Sequence, residues 1–179
     1  GRTLYFVSNR PGGHGGYDIW RSSLQPNGQW GKPQNLGAAV NTPYDESAPY
    51  IHADNQTLYF TSDGWPGFGD KDIFKTALDS SGKWQTPVNL GYPINDHNEQ
   101  SAFSVSMNGK RASFATRRTD ALGGLDIYFF ELPEAIQPHP VAYLKGTIAD
   151  AANQAPVPAE VTLTDVLTNK VLYQEQADY

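Results

Sequence analysis

Apolar and polar residues alternate along this chain in short runs, broken by clusters of Gly, Pro, Asp, Asn and Ser. That pattern predicts strands joined by turns. The clearest stretch offers four strands: Ser47–His52, Thr57–Ser62, Asp72–Leu78 and Trp84–Leu90. Ala53–Gln56 and Asp79–Gly82 read as polar turns, and Gly64–Gly69 as a glycine-rich loop. Thr57–Ser62 alternates, yet carries apolar groups on both faces. A strand sandwiched between neighbouring sheets reads that way.

The same landmarks return at a fixed spacing of 54 residues. Leu4-Tyr5-Phe6 recurs as Leu58-Tyr59-Phe60 and, more weakly, as Ala112-Ser113-Phe114. Asp18-Ile19-Trp20 recurs as Asp72-Ile73-Phe74 and Asp126-Ile127-Tyr128. Gly28 and Trp30 match Gly82 and Trp84, Asn35 matches Asn89, Asn41 matches Asn95, and Ser47-Ala48 matches Ser101-Ala102. Four antiparallel strands per unit of about 40–50 residues is the arithmetic of a β-propeller blade. The chain opens at the second strand of one unit, holds one complete unit, and leaves the repeat in the third strand of another. Fewer than three blades cannot close a ring of about four to eight. Each blade buries its faces only against neighbours, so earlier blades before Gly1, or a second chain, are expected to supply the rest.

The pattern Leu-Tyr-Phe-x-Ser, a Gly-rich loop, then Asp-Ile-(aromatic) resembles the WD-like propeller repeat of the TolB type. It stands here as Leu4–Ser8, Pro11–Gly16 and Asp18–Trp20, and again as Leu58–Ser62, Gly64–Gly69 and Asp72–Phe74. The third copy departs from it, with Ala112-Ser113 for Leu-Tyr and Thr116 for Ser. The expected fold is therefore all-β: a partial propeller over residues 1–132, then a second region.

Pro133, Pro138 and Pro140 predict a stiff linker over 133–140. Beyond it, Val141–Ile148, Ala159–Asp165 and Lys170–Gln174 read as strands, with a turn at Asp165–Asn169. Gly146-Thr147-Ile148-x-Asp150, Pro156 and Val161-Thr162-Leu163 resemble the opening of carboxypeptidase-regulatory-like domains, which are transthyretin-like β-sandwiches. About half of such a domain is expected in residues 141–179. The order propeller then sandwich resembles a group of Bacteroidota outer-membrane proteins with a C-terminal OmpA-like peptidoglycan-binding domain. A PorE-like class of that group belongs to type IX secretion. The resemblance implies a non-enzymatic interaction scaffold on the periplasmic face of the outer membrane. Its partners would be envelope or secretion-system proteins, and peptidoglycan through a domain beyond Tyr179.

Charge and composition narrow the alternatives. The net charge is −6, and the basic residues gather no further than the pairs Lys110-Arg111 and Arg117-Arg118, so no basic stripe invites nucleic acid. The longest apolar runs, Leu4–Val7, Ile127–Phe130 and Val141–Leu144, are all too short to span a bilayer. The absence of Cys excludes a disulfide framework, a thiol nucleophile and a Cys-based zinc site. No Gly-x-Ser-x-Gly, His-Glu-x-x-His or Gly-Lys-Ser/Thr motif is present. No catalytic residue, metal or cofactor is expected.

Residues that recur and residues that break the repeat are read differently. Asp18, Asp72 and Asp126 suit either a ring of carboxylates for cations or a structural role, accepting backbone N–H bonds from the glycine loop. Recurrence in every unit favours structure. Asp63, Asp70 and Asp72 on one loop raise calcium, but the third unit places Arg117 there. The loop glycines read as tight connections needing positive φ. Trp30 and Trp84, and likewise Trp20, Phe74 and Tyr128, read as packing between units. Asp45 and Glu99 either bind a cationic ligand or cap the turn between units. Among the repeat-breakers, His14, Tyr44, Trp65, Phe68, His97 and Asn98 are placed on one loop face as partner-binding candidates. Trp65 either anchors a partner or covers its own loop. Two rival functions remain: a glycan-binding module with Trp65 and Phe68 as stacking platforms, and the accessory propeller of a peptidase.

Overall fold

The computed structural model describes residues 2–117, 123–142 and 145–177. These residues form an all-β protein of small antiparallel sheets with one short 3-10 turn, Glu134–Ile136. They divide into two compact units, Gly1–Ala142 and Tyr143–Tyr179.

The first unit holds three sheets. Sheet 1 orders β1 (Thr3–Ser8), β2 (Asp18–Ser23) and β3 (Gln34–Asn35). Sheet 2 orders β4 (Glu46–Ile51), β5 (Thr57–Ser62), β6 (Asp72–Ala77) and β7 (Val88–Asn89). Sheet 3 joins β8 (Gln100–Val105), β9 (Arg111–Thr116) and β10 (Asp126–Glu131). Register repeats with the sequence: Phe6 faces Trp20, Phe60 faces Phe74, and Phe114 faces Tyr128. The β4–β5 ladder slips between Ser47 and Tyr50, and the β8–β9 ladder between Ser101 and Ser104. Ala48 and Ala102 stand there at φ 46° and 52°. The recurring Ser-Ala pair thus marks a recurring β-bulge.

The predicted strand Trp84–Leu90 is far shorter in the structure. Only Val88–Asn89 pairs with β6, after an isolated bridge from Leu78 to Trp84. Pro87 has no N–H to give the ladder, and Pro33 precedes the equally short β3.

Apolar side chains fill the space between sheets. Ile19 and Val40 pack with Leu58, Phe60 and Phe74, and with partly buried Tyr5, Leu36, Trp65 and Trp84. Tyr59, Ile73, Leu90 and Ile94 pack with Phe103, Val105, Ala112, Phe114 and Leu132. All six residues of β5 are buried: Leu58 and Phe60 reach the first cluster, Tyr59 the second. Each large side chain so buried contributes about 1.5–3 kcal/mol.

Polar residues of the repeat tie the loops to this frame. Asn41 Oδ1 accepts from the Ile19 N–H at 2.8 Å, and its amide donates to Ile19 O and to Asn35 Oδ1. Asn95 does the same with Ile73 and Asn89. Asn35 and Asn89 in turn donate to Asp18 and Asp72. Every amide in this relay serves a backbone group or another relay member, which is how buried polar groups avoid a desolvation penalty.

Residues 133–140, expected as a stiff linker, lie against sheets 2 and 3. Tyr59 Oη donates to Ile136 O at 2.8 Å, Lys75 Nζ to Gln137 O at 2.8 Å, and the Val141 N–H to Met107 O at 2.9 Å. The His139 N–H donates to Asp54. Prolines stiffen the segment, and its free carbonyls satisfy donors that the sheets leave over.

In the second unit, β11 (Glu160–Thr164) and β12 (Val171–Gln176) form a two-stranded sheet. The turn at Asp165–Asn169 is present: Asp165 Oδ1 accepts from the Leu167 and Thr168 N–H groups, and Asn169 takes φ 54°. The expected strand Val141–Ile148 is not formed among the described residues. A strand needs a paired neighbour, and Val141 has spent its N–H on Met107. An isolated bridge joins Ala149 to Pro156 instead.

Candidate functional site

The loops after β1 and β5 close onto the loops that join one sheet to the next. The Gly16 N–H donates to Tyr44 O at 3.0 Å. A Cβ at Gly15 would overlap the backbone of residues 42–44, and one at Gly69 the backbone of residues 96–98. A Cβ at Gly64 would overlap the Thr42 side chain. These contacts make one continuous loop surface, and it carries all six predicted partner-binding candidates.

The glycines are there for close approach. Positive φ occurs at Gly12, whereas Gly13, Gly15, Gly16, Gly64, Gly67 and Gly69 lie outside that region. Cβ atoms at Gly13 and Gly67 would overlap the carboxylates of Asp18 and Asp72. The expectation of positive φ is corrected accordingly: only a residue without a side chain lets the loop wrap its N–H groups around these acids.

Asp18 Oδ2 accepts from the His14 N–H at 2.6 Å and from Asn35 Nδ2 at 2.8 Å, and Oδ1 from the Gly15 N–H at 3.3 Å. Asp72 accepts from the Phe68 N–H and Asn89 Nδ2. Both acids are buried, and both fix a glycine loop. Asp126 is half-buried, and part of the loop before it, 118–122, lies outside the described residues. Asp45 Oδ1 accepts from the Tyr17 N–H at 2.8 Å, and Asp63 Oδ1 from the Asp45 N–H at 2.8 Å. Among the described residues, no three His, Asp or Glu side chains are grouped to hold a metal ion.

A second relay sets the turn before β4 and its counterpart before β8. The buried Glu46 accepts from the Thr42 N–H at 2.9 Å, the Thr42 hydroxyl at 2.7 Å and the Ser62 hydroxyl at 2.8 Å. Burial pushes its carboxyl above the ordinary glutamate range; Asp18 adds to this, while the three bonds oppose it. One repeat later the chemistry is inverted. Gln100 Nε2 donates to Asp96 Oδ1 at 2.7 Å. Hydroxyl donor with carboxylate acceptor in one unit becomes carboxylate acceptor with amide donor in the next.

Between the glycine loops of sheets 1 and 2 lies a cleft of about 420 Å³, lined by His14, Ala38, Asn41, Thr42, Pro43, Gly64, Trp65 and Pro66. Trp65 is half-buried; its Nε1 donates to Val40 O at 2.9 Å and its ring packs on the first core cluster. It therefore covers its own loop and walls the cleft at once. One repeat later, the positions of His14, Ala38 and Pro43 are held by Phe68, Tyr92 and His97. All three are exposed, Phe68 to 60% and Tyr92 to 78%. The residues matching Trp65 and Pro66 lie outside the described residues.

Of the other candidates, His14 and Tyr44 are exposed, whereas Asn98 is half-buried and donates its amide to Asp96 at 3.0 Å. Tyr92 was missed by sequence reasoning. Its signal was available: a large aromatic where the preceding unit has Ala38. Trp84 lies edge-on to Tyr5, ring centres 6.2 Å apart, whereas Trp30 is 48% exposed. Trp20 and Phe74 are buried, and half-buried Tyr128 packs against the second cluster. Neither a family model nor a curated protein matches this chain.

Proposed function

We propose that this chain is a non-enzymatic interaction scaffold, built from part of a TolB-type β-propeller and part of a transthyretin-like sandwich. Its place is the periplasmic face of the outer membrane, within an envelope or type IX secretion assembly tied to peptidoglycan by a further domain. It requires no cofactor. The observation that carries the reading is how the loop surface divides its polar and apolar groups. Asn41 and Thr42 line the cleft but spend their hydrogen bonds inside the protein. A sugar needs several directional partners at such a site, since a polar group desolvated without one costs about 1–3 kcal/mol. Outward, the surface offers the large aromatics Tyr44, Phe68 and Tyr92 beside the polar His14, Asp70 and His97. Exposed aromatics on a rigid frame suit hot spots for protein docking, so a protein partner is favoured over a soluble glycan.

The test is a photo-crosslinking amino acid at position 68 in the full protein, expressed in its native envelope, with position 88 as an exposed control. The expected result is a discrete protein adduct from position 68 alone. Adducts identical at both positions, or tight binding of soluble oligosaccharide that Phe68→Ala abolishes, would overturn the reading.

A further inference from the structure

Arg21 on β2 and Lys75 on β6 hold the same position in successive units. Lys75 is served by the chain itself: its Nζ donates to Gln137 O at 2.8 Å. That carbonyl is open because the residue four before it is Pro133, which has no N–H to close a turn onto it. One unit earlier the turn does close. The Asp79 N–H donates to Lys83 O at 2.8 Å, and Lys83 stands where the next unit has Gln137. Arg21 finds its side-chain acceptor elsewhere: Nε donates to the exposed Gln34 Oε1 at 3.3 Å.

Between sheets 1 and 2 this leaves a cleft of about 350 Å³, walled by Arg21, Leu36, Gly82, Lys83 and Trp84. Lys83 brings a second cation where the next unit has a neutral Gln137. Among the described residues neither cation is ion-paired and no acid lines the cleft. Asp79, on the turn with Lys83, accepts through Oδ1 from the Ser81 and Lys83 N–H groups. Arg21 is half-buried, with Gln34 and Tyr5 beside it. Burial raises the Tyr5 hydroxyl above the ordinary tyrosine value, and the neighbouring Arg21 charge opposes that rise. Tyr5 in turn meets Trp84 edge-on. A guanidinium held in this way loses less freedom when it grips a ligand.

We infer that this cleft takes an acidic side chain from a protein partner, with Arg21 and Lys83 on its carboxylate and Trp84 against its methylenes. Charge-assisted bonds from Arg and Lys to a carboxylate are among the strong ones, and in a chain of net charge −6 two unpaired cations converge here. A side chain fits better than a bare inorganic anion because Leu36 and the Trp84 ring offer apolar contact that only a carbon stem can use. One unit on, the cation at this position already holds a peptide oxygen, that of Gln137. The inference rests on the reading that the partner is a protein, but not on Tyr44, Phe68 or Tyr92.

The test labels the full chain with 5-fluorotryptophan and titrates it with an end-blocked triglutamate peptide. Parallel titrations use end-blocked triglutamine and inorganic phosphate. The Trp84 fluorine signal is assigned by its loss in Trp84→Phe. The expected result is a saturable shift of that signal with triglutamate and none with triglutamine, phosphate acting only at higher concentration. Arg21→Gln and Lys83→Gln should each weaken triglutamate about tenfold or more, with the other tryptophan signals in place to show that the fold is kept. No saturable shift, equal binding of triglutamine, unchanged affinity in both variants, or phosphate binding as tightly as the peptide would overturn the inference. Failure here with a discrete adduct at position 68 would strike this cleft alone; failure of both would strike the protein partner as well.

Discussion

Ile73 and Ile127 sit in the same three-residue motif, on the same strand of successive sheets, facing the same way. One is fully buried and the other is mostly in water. The strands around them differ in the same sense: β6 is buried at Asp72, Ile73 and Phe74, whereas β10 alternates between half-buried and exposed. The matching Asp-Ile-aromatic motif therefore does not by itself set burial in this protein. The neighbouring sheet does, and sheet 2 has one on both sides. Repeat architectures behave this way because each unit contacts only its neighbours.

The comparison is broken most sharply by truncating both isoleucines. In the monomer, Ile73→Ala should cost about 2–5 kcal/mol and Ile127→Ala no more than about 0.5 kcal/mol, read from urea midpoints at constant slope. Equal costs would mean that the side of sheet 3 is covered within the monomer. Next come the relays. Asn95→Ala strips partners from the Ile73 N–H and carbonyl and from Asn89, so a loss of about 3 kcal/mol is expected. Asn41→Ala should match it to within about 1 kcal/mol if the units are equivalent.

A subtler test exchanges chemistry between units. Glu46→Gln can keep its carbonyl on the Thr42 N–H, but its amide then faces the Thr42 and Ser62 hydroxyls that donate to Glu46, and this should cost about 1–3 kcal/mol. Adding Thr42→Asp rebuilds the arrangement of Asp96 and Gln100, so the double variant should recover much of that loss. A double-mutant cycle measures the coupling. The same residue predicts a pH effect. Its carboxyl titrates above the ordinary range when folded, so the folded state binds the proton more tightly than the unfolded one. Its contribution is fully present below the unfolded value and falls as pH rises through the folded one. Comparison of wild type with Glu46→Gln should show that slope only in wild type. Smallest of all, Phe68→Ala should shift stability by less than about 0.5 kcal/mol.

Much of this was legible in the sequence. The fixed spacing located β1, β2, β4, β5, β6, β8, β9 and β10, because a Gly- or Asp-containing turn between alternating runs fixes where a strand can start. It also marked Asp18, Asp72, Asn41 and Asn95 as repeated, although not the relay that joins them, since that depends on side chains 22 residues apart along the chain meeting in space. The role of the loop glycines was misread because close approach leaves no mark in sequence distinct from positive φ. The docking of residues 133–140 was invisible for a similar reason: prolines announce stiffness, not what the carbonyls between them will accept. Tyr92 carries no repeat signal, since the preceding unit has Ala38 at its position.

The account divides the repeat into residues that build the frame and residues that break the pattern to meet a partner. One measurement tests that division directly: thermal stability and envelope-partner binding on two sets of alanine variants. The account predicts that Tyr44, Phe68, Tyr92 and His97 variants lose the partner at unchanged melting temperature, while Asp18, Asn41, Asp72 and Asn95 variants lose stability. Partner binding that survives the whole first set, or melting temperatures that fall as far in the first set as in the second, would contradict it.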